Sequence, residues 1–283
     1  MLTTRQVRAL LLMHGLAPNK SLGQNFVVDA NTVRKIVRDA AVDRGDVVVE
    51  VGPGLGSLTV ALRAAGAEVV AVEIDAGLVR ALADVVAGDD GVTVIHADAL
   101  DVDYGALLRG RSALMVANLP YNAATPILMG ALHSGAFTRL LLMVQREVGE
   151  RWTAAVGHPS YGAVSVKVAA LAWAEIAAPV SRNAFHPVPN VDSVTVRLVP
   201  RAEPAIDDVG GLFRLVEAGF AQRRKRLRNA LGAAGHHPAA VEAALQSVGR
   251  SAGARAEELD LDSWIDLHHA LHRRRGCDFA ARA

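Results

Sequence analysis

The stretch Val47–Gly56 restricts the fold of this chain more than any other. Val47-Val48-Val49-Glu50-Val51 is a near-continuous β-branched run, which reads as a strand buried on both faces in a parallel sheet. Gly52-Pro53-Gly54-Leu55-Gly56 follows at once, and Ser57–Ala65 then takes up helical spacing. Strand, glycine turn and helix in that order form the first βα unit of a nucleotide-binding sheet. Glycines let the backbone approach a ligand where side chains would block it, which makes Gly52 and Gly54 candidate contacts. The spacing is G-x-G-x-G, not the G-x-G-x-x-G of dinucleotide binders. Pro53 also removes an amide that could have donated to phosphate. Both departures favour a ligand without phosphates, such as S-adenosylmethionine.

Later strand candidates end in polar groups at matching places. Glu68–Val72 runs into Glu73, 21 positions after Gly52 and placed to accept from ribose hydroxyls. Val92–Ile95 leads to Asp98, expected over the same crevice near an adenine amine. Ala113–Ala117 ends in Asn118-Leu119-Pro120-Tyr121. Asn118 offers carboxamide and carbonyl acceptors. Pro120 restricts its own backbone and pushes Leu119 towards extended geometry. Tyr121 supplies a flat face for stacking. Convergent acceptors beside an aromatic plate suit an exocyclic amine on a flat heterocycle. Each group also has a plainer reading, as a solvated loop acid or a turn; three strand-end polar groups in successive βα units favour a site.

Around this core, Thr3–His14 and Ala30–Ala41 have helical spacing, with Asp29 as N-cap of the second. The loop between them, Lys20 to Asp29, could cover a ligand or pack on the domain as an arm. Pro126–Leu132 and Tyr161–Ala172 read as helices, Leu140–Gln145 and Trp173–Val180 as strands. In Phe185-His186-Pro187-Val188-Pro189-Asn190-Val191-Asp192-Ser193 the prolines hold an extended segment, presenting Phe185 as a second stacking face or placing it in the core. A polar stretch, Glu203–Gly211, suggests a boundary between domains at 1–202 and 203–283. Beyond it, Phe213, Val216, Phe220, Leu227 and Leu231 keep one face of a single long helix. That helix carries Arg223-Arg224-Lys225-Arg226-Leu227-Arg228-Asn229, with Arg223, Lys225 and Arg226 as phosphate contacts and Arg224, inside the apolar stripe, as partner of a buried acid. A solvated helix face is the alternative.

Composition bounds the function classes. Residues 1–200 carry 17 basic and 18 acidic side chains and residues 201–283 carry 13 and 11, so a polyanion site must be a local patch. No apolar run approaches the roughly 20 residues that span a bilayer. The single cysteine excludes an internal disulfide and fits a reducing compartment, and no Cys/His metal cluster is visible. A soluble, cytoplasmic, metal-free chain is expected.

Taken together, these motifs resemble the ribosomal RNA adenine N6,N6-dimethyltransferases, the KsgA family. The resemblance runs from Gly23-Gln24-Asn25-Phe26 through Glu50-Val51-Gly52-Pro53-Gly54-Leu55, Asn118-Leu119-Pro120-Tyr121-Asn122 and the Phe185–Ser193 segment to Gln222-Arg223-Arg224-Lys225. It implies an α/β fold: a Rossmann-like S-adenosylmethionine-dependent methyltransferase sheet with one reversed strand near its edge, and a small all-helical C-terminal domain. It places cofactor contacts on Asn25, Val27, Gly52, Glu73, Asp98 and Asn118, and target-base contacts on Asn118, Leu119, Tyr121 and Phe185. The implied reaction methylates two adjacent adenines, twice each, in a small-subunit rRNA hairpin loop, with the immature small ribosomal subunit as partner and a monomer as working unit. Two departures stand out. Val27-Val28 replaces Leu and a polar residue, and Ala123-Ala124 replaces Ile-Ser, removing a hydroxyl that could brace the loop. Rival readings are a nucleotide-dependent oxidoreductase, a DNA adenine methyltransferase, a large-subunit rRNA methylase of the resistance type, and a ribosome-assembly factor that keeps the fold for RNA binding.

Overall fold

The computed structural model describes residues 2–18, 24–222 and 225–280, the last eight by their backbone alone. The chain divides into two compact units, residues 1–149 with 173–200, and residues 150–172 with 201–283.

The first unit opens with α1 (Thr4–Met13), a two-residue strand β1 (Phe26–Val27) and α2 (Ala30–Asp39). Asp29 caps α2 as its sequence position suggests, its carboxylate accepting from the Thr32 N–H at 2.7 Å. Then βα units follow: β2 (Val47–Val51), α3 (Ser57–Ala64), β3 (Glu68–Glu73), α4 (Ala76–Val85), β4 (Val92–His96), α5 (Tyr104–Leu108), β5 (Ala113–Asn118), α6 (Ala124–Ser134) and β6 (Phe137–Gln145). After α7 (Arg146–Thr153) and α8 (Ala163–Leu171) the sheet is completed by β7 (Ala172–Val180) and β9 (Ser193–Pro200), with the short β8 (Phe185–His186) between them in sequence.

The seven-stranded sheet has the order β4-β3-β2-β5-β6-β9-β7. The first five of these strands are parallel. β9 runs antiparallel to β6, the one reversed strand beside the edge that the family resemblance implies. Val48, Val49, Val69, Met115, Val116 and Leu142 are almost fully buried, which explains why the central strands read as continuous apolar runs. The chain steps outward from β2 to β4, then returns to lay β5 on the other side of β2. The strand order therefore reverses beside β2, and the crevice at those strands' carboxyl ends is the topological switch point.

Two expectations need correction. The domain boundary is discontinuous, because residues 150–172 belong with the second unit rather than the first. Tyr161, Val166 and Ala170 share a core with Leu212, Val216 and Trp264, and the Tyr161 hydroxyl donates to the Leu259 carbonyl at 2.6 Å. Helical spacing shows which face of a segment is apolar, not which core covers it.

The long basic helix is also absent. α9 (Val209–Phe220) ends before the cluster, and α10 (Leu227–Ala233) begins after it. Lys225 and Arg226 lie exposed in the connection, where the Lys225 N–H bonds the Gln222 carbonyl. Arg228 pairs with Glu242 of α11 (Pro238–Ser247). Arg223 and Arg224 lie outside the described residues. The apolar periodicity on either side is real, but the two stripes belong to separate helices around one core with Trp264 of α12 (Leu261–Ala280). Gly219 lets α9 come close to that indole, since a Cβ there would stand 2.4 Å from its ring.

Candidate active site

A cavity of about 350 Å³ opens at the switch point of the first unit. That volume is within the range of small-molecule sites. Ten of the sequence-identified residues line it: Asn25 and Val27 from the N-terminal segment, Gly52 and Gly54 from the turn after β2, Glu73 and Asp98 from the next two strand ends, and Asn118, Leu119, Pro120 and Tyr121 after β5. Parallel strands that end at one edge bring together groups far apart in sequence, which is why the pattern of strand-end polar residues carried information.

The glycine turn needs its composition. Gly52 and Gly54 have φ of +68° and +57°, the left-handed region that L side chains avoid. Glu73 holds the turn from β3. Its Oε2 accepts from the Gly54 N–H at 3.1 Å and its Oε1 from the Asp75 N–H at 3.0 Å. Burial raises the Glu73 pKa above the ordinary carboxylate value, against the lowering effect of those two N–H donors. Each oxygen keeps a further lone pair for a ligand hydroxyl.

Asn118 is oriented from the other side. Its Nδ2 donates to the Asn25 backbone carbonyl at 3.2 Å. A carboxamide that spends its NH₂ on a protein carbonyl presents its oxygen as an acceptor. The Leu119 N–H donates to the Met143 carbonyl at 3.0 Å and the Ala123 N–H to the Pro120 carbonyl at 3.2 Å, so backbone bonds brace the loop. Ala123, at the N-cap of α6, supplies no side-chain cap. Tyr121 is half buried, and its phenol oxygen is enclosed beside the Ser193 hydroxyl without a completed hydrogen bond; burial raises its pKa.

Phe185 does not face this cavity, so the stacking-face expectation is corrected. It is 2% exposed and packs among Val27, Val33, Val180 and Ala184. β8 pairs antiparallel with β1, Val27 opposite Phe185, and this ladder turns the ring into the apolar layer. The alternative of a core residue on a rigid connector is the one observed.

Some cavity residues carried no role in the sequence reading. Glu50, within the strand, is 1% exposed and accepts from the Thr59 hydroxyl at 2.6 Å. Burial pushes its pKa up to about 8, so it is largely protonated at neutral pH. An acid inside an otherwise apolar strand was the available signal. Ile74 and Leu100 line the cavity yet are 49% and 50% exposed, a pair of apolar surfaces beside the acids.

Residues 15–272 match the family model described as ribosomal RNA adenine dimethylase. The chain belongs to the ribosomal RNA adenine dimethylase family. Members similar to it include the ribosomal RNA small subunit methyltransferase A of Leifsonia xyli subsp. xyli, 48% identical over 93% of this chain and 95% of the other. The protein of the same name from Streptomyces coelicolor is 46% identical over 92% and 93%. Among solved structures, the 23S rRNA methyltransferase ErmE shares 27% identity with a TM-score of 0.68, covering 88% of this chain and all of that one. A dimethyladenosine transferase from Plasmodium falciparum, 23% identical over 84% of this chain and 94% of that one, shares the fold with a TM-score of 0.71. Membership of the adenine dimethylase family makes the chain an rRNA methyltransferase.

Proposed function

We propose that the chain transfers methyl groups from S-adenosylmethionine to N6 of two adjacent adenines in a hairpin loop of small-subunit (16S) rRNA. The product is N6,N6-dimethyladenosine, made in the cytoplasm on the immature small subunit. The small-subunit target follows the names of relatives at 41–48% identity over nearly full length, against 27% for the 23S enzyme. The observation that carries the chemistry is the Asn118 carboxamide, held by the Asn25 carbonyl with its oxygen left to accept.

The cavity suits the cofactor. Gly52 and Gly54 offer backbone at close range, Glu73 and Asp98 offer acceptors for hydroxyl and amine groups, Ile74 and Leu100 flank a flat ring, and Asn25 and Val27 close the N-terminal side. When bound there, S-adenosylmethionine supplies an electrophilic methyl on a cationic sulfur. Adenine N6 is a weak nucleophile because its lone pair is delocalised into the ring. The Asn118 oxygen and the Leu119 carbonyl accept its two hydrogens, localising the pair and aiming it, while Pro120 fixes the loop. Tyr121 stacks on the extruded base. No strong base is required. Lys225 and Arg226, with Arg223, supply phosphate contacts from the helical unit. The proposed working unit is a monomer.

The test is single-turnover methylation by wild type and Asn118→Ala on immature small subunits, naked 16S rRNA and large subunits, with products mapped by mass. Loss of turnover in a folded variant that still binds S-adenosylmethionine, with dimethyladenosine only on small-subunit RNA, is expected. Rates preserved within a few-fold would remove Asn118 from the acceptor role; product on large subunits would move the target.

A further inference from the structure

A second cluster of ligand-bearing side chains lies in the helical unit, outside the cavity. Asp208 caps α9, its Oδ1 accepting from the Gly211 N–H at 2.8 Å. Its Oδ2 lies 3.2 Å from Nε2 of His268. His268 and His272 stand four residues apart on α12 and therefore share a face, their ring centroids 4.0 Å apart. One donor atom from each of these three residues lies within 4.8 Å of the other two. His268 is 2% exposed, and among the described residues its Nδ1 is buried with no hydrogen-bond partner. Gly211 admits the ring to the start of α9, because a Cβ there would stand 2.6 Å from His268 Cε1.

The orientation of His272 is informative. Its Nδ1 lies 3.0 Å from the His268 carbonyl oxygen. A carbonyl only accepts, so Nδ1 carries the proton and the lone pair is on Nε2. A backbone carbonyl on the far ring nitrogen is how metal-binding histidines are commonly fixed. A simple Asp208–His268 pair gives the second imidazole no part, and two protonated rings this close would repel.

We propose that Asp208, His268 and His272 form a site for a divalent transition-metal ion of the zinc type. Two imidazole nitrogens and one carboxylate oxygen suit such borderline ions better than magnesium or calcium, which take oxygen ligands. Donors bound at about 2.1 Å around a tetrahedral ion stand about 3.4 Å apart, close to the Asp208–His268 separation already present. A small shift of the exposed His272 ring would close the remaining gap while keeping its Nδ1 bond, and water would fill the fourth position. The ion ties the C-terminal helix to the N-terminus of α9 and stabilises the helical unit.

The experiment is calorimetry and thermal melting of the full chain with Zn²⁺ alone in a chelator-free buffer. One saturable site is expected, with a Tm that rises with Zn²⁺ concentration. His272→Ala, at an exposed position, should melt like wild type without metal and bind at least about tenfold more weakly. Asp208→Asn, which retains a helix-capping side chain, should show the same loss. His133→Ala, in the other unit, should leave the site intact. Equal isotherms for wild type and His272→Ala, or no rise in Tm up to millimolar Zn²⁺, overturn the proposal.

Discussion

Alanine substitutions in the 52–56 turn separate space reserved for a ligand from strain in the fold. Gly52 and Gly56 both adopt left-handed backbone, φ +68° and +88°. An alanine there costs about 1–2 kcal/mol from that geometry alone. At position 52 the new Cβ would sit 3.6 Å from the Asn118 carbonyl oxygen, an ordinary contact, so strain is the whole cost to the ligand-free fold. At position 56 it would meet Leu82 Cδ1 at 2.6 Å, and Leu82 is fully buried. Overpacking of that kind adds about 1–3 kcal/mol. For a unit of this size each kcal/mol moves Tm by about 2–4 °C, so Gly52→Ala should lose about 2–8 °C and Gly56→Ala about 4–20 °C. Ligand affinity should follow the opposite order. Gly52 lines the cavity and Gly56 does not, so the methyl at 52 intrudes where the cofactor approaches. S-adenosylmethionine should bind Gly52→Ala at least about tenfold more weakly, and Gly56→Ala within a few-fold of wild type. Melting followed by circular dichroism, and calorimetry well below both transitions, measure the two effects. Wild-type affinity in Gly52→Ala together with lost binding in folded Gly56→Ala would refute the turn as the cofactor cradle.

Three further outcomes are expected. Phe185→Ala should destabilise by about 3–5 kcal/mol in denaturant melts, while Phe185→Leu keeps most of the stability and the methylation rate; a rate lost in stable Phe185→Leu would restore the ring to base stacking. Glu50 holds its proton in the folded chain up to about pH 8, whereas the unfolded chain releases it near 4.5. The folded state thus binds the extra proton, and stability should fall as pH rises through that window, by up to about 1.4 kcal/mol per pH unit. Glu50→Gln should flatten this slope in melts across the window, and an unchanged slope would mean that other groups set it. Joint replacement of Lys225 and Arg226 by alanine should weaken RNA binding and reduce its salt slope by about 0.7–0.9 per lost phosphate contact, with S-adenosylmethionine affinity unchanged; an identical slope would make them solvated side chains only.

Much of the cavity was legible because parallel βα units convert local pattern into position. A β-branched run states that a strand is buried, the residue after it lies at the carboxyl edge, and successive units bring Glu73, Asp98 and Asn118 to one crevice. The glycine turn was legible for the same reason: left-handed backbone selects glycine locally. Phe185 was not, because its neighbours in sequence show only that the chain is extended. Its burial depends on pairing with β1, which lies about 160 residues earlier. The break between α9 and α10 was hidden by an apolar period continuing on both sides of it. Which core claims residues 150–172 was equally invisible, since an amphipathic face does not name its partner. The His268–His272 spacing was readable, but Asp208 is brought beside it only by the packing of α9 on α12. By itself, then, the amino-acid order determined the α/β class, the strand-end chemistry and the glycine cradle, all set by backbone geometry and short-range pattern. Tertiary structure alone decided which aromatic faces the cavity, where the second unit draws its helices and how Asn118 is turned, because each depends on contacts between segments distant in sequence.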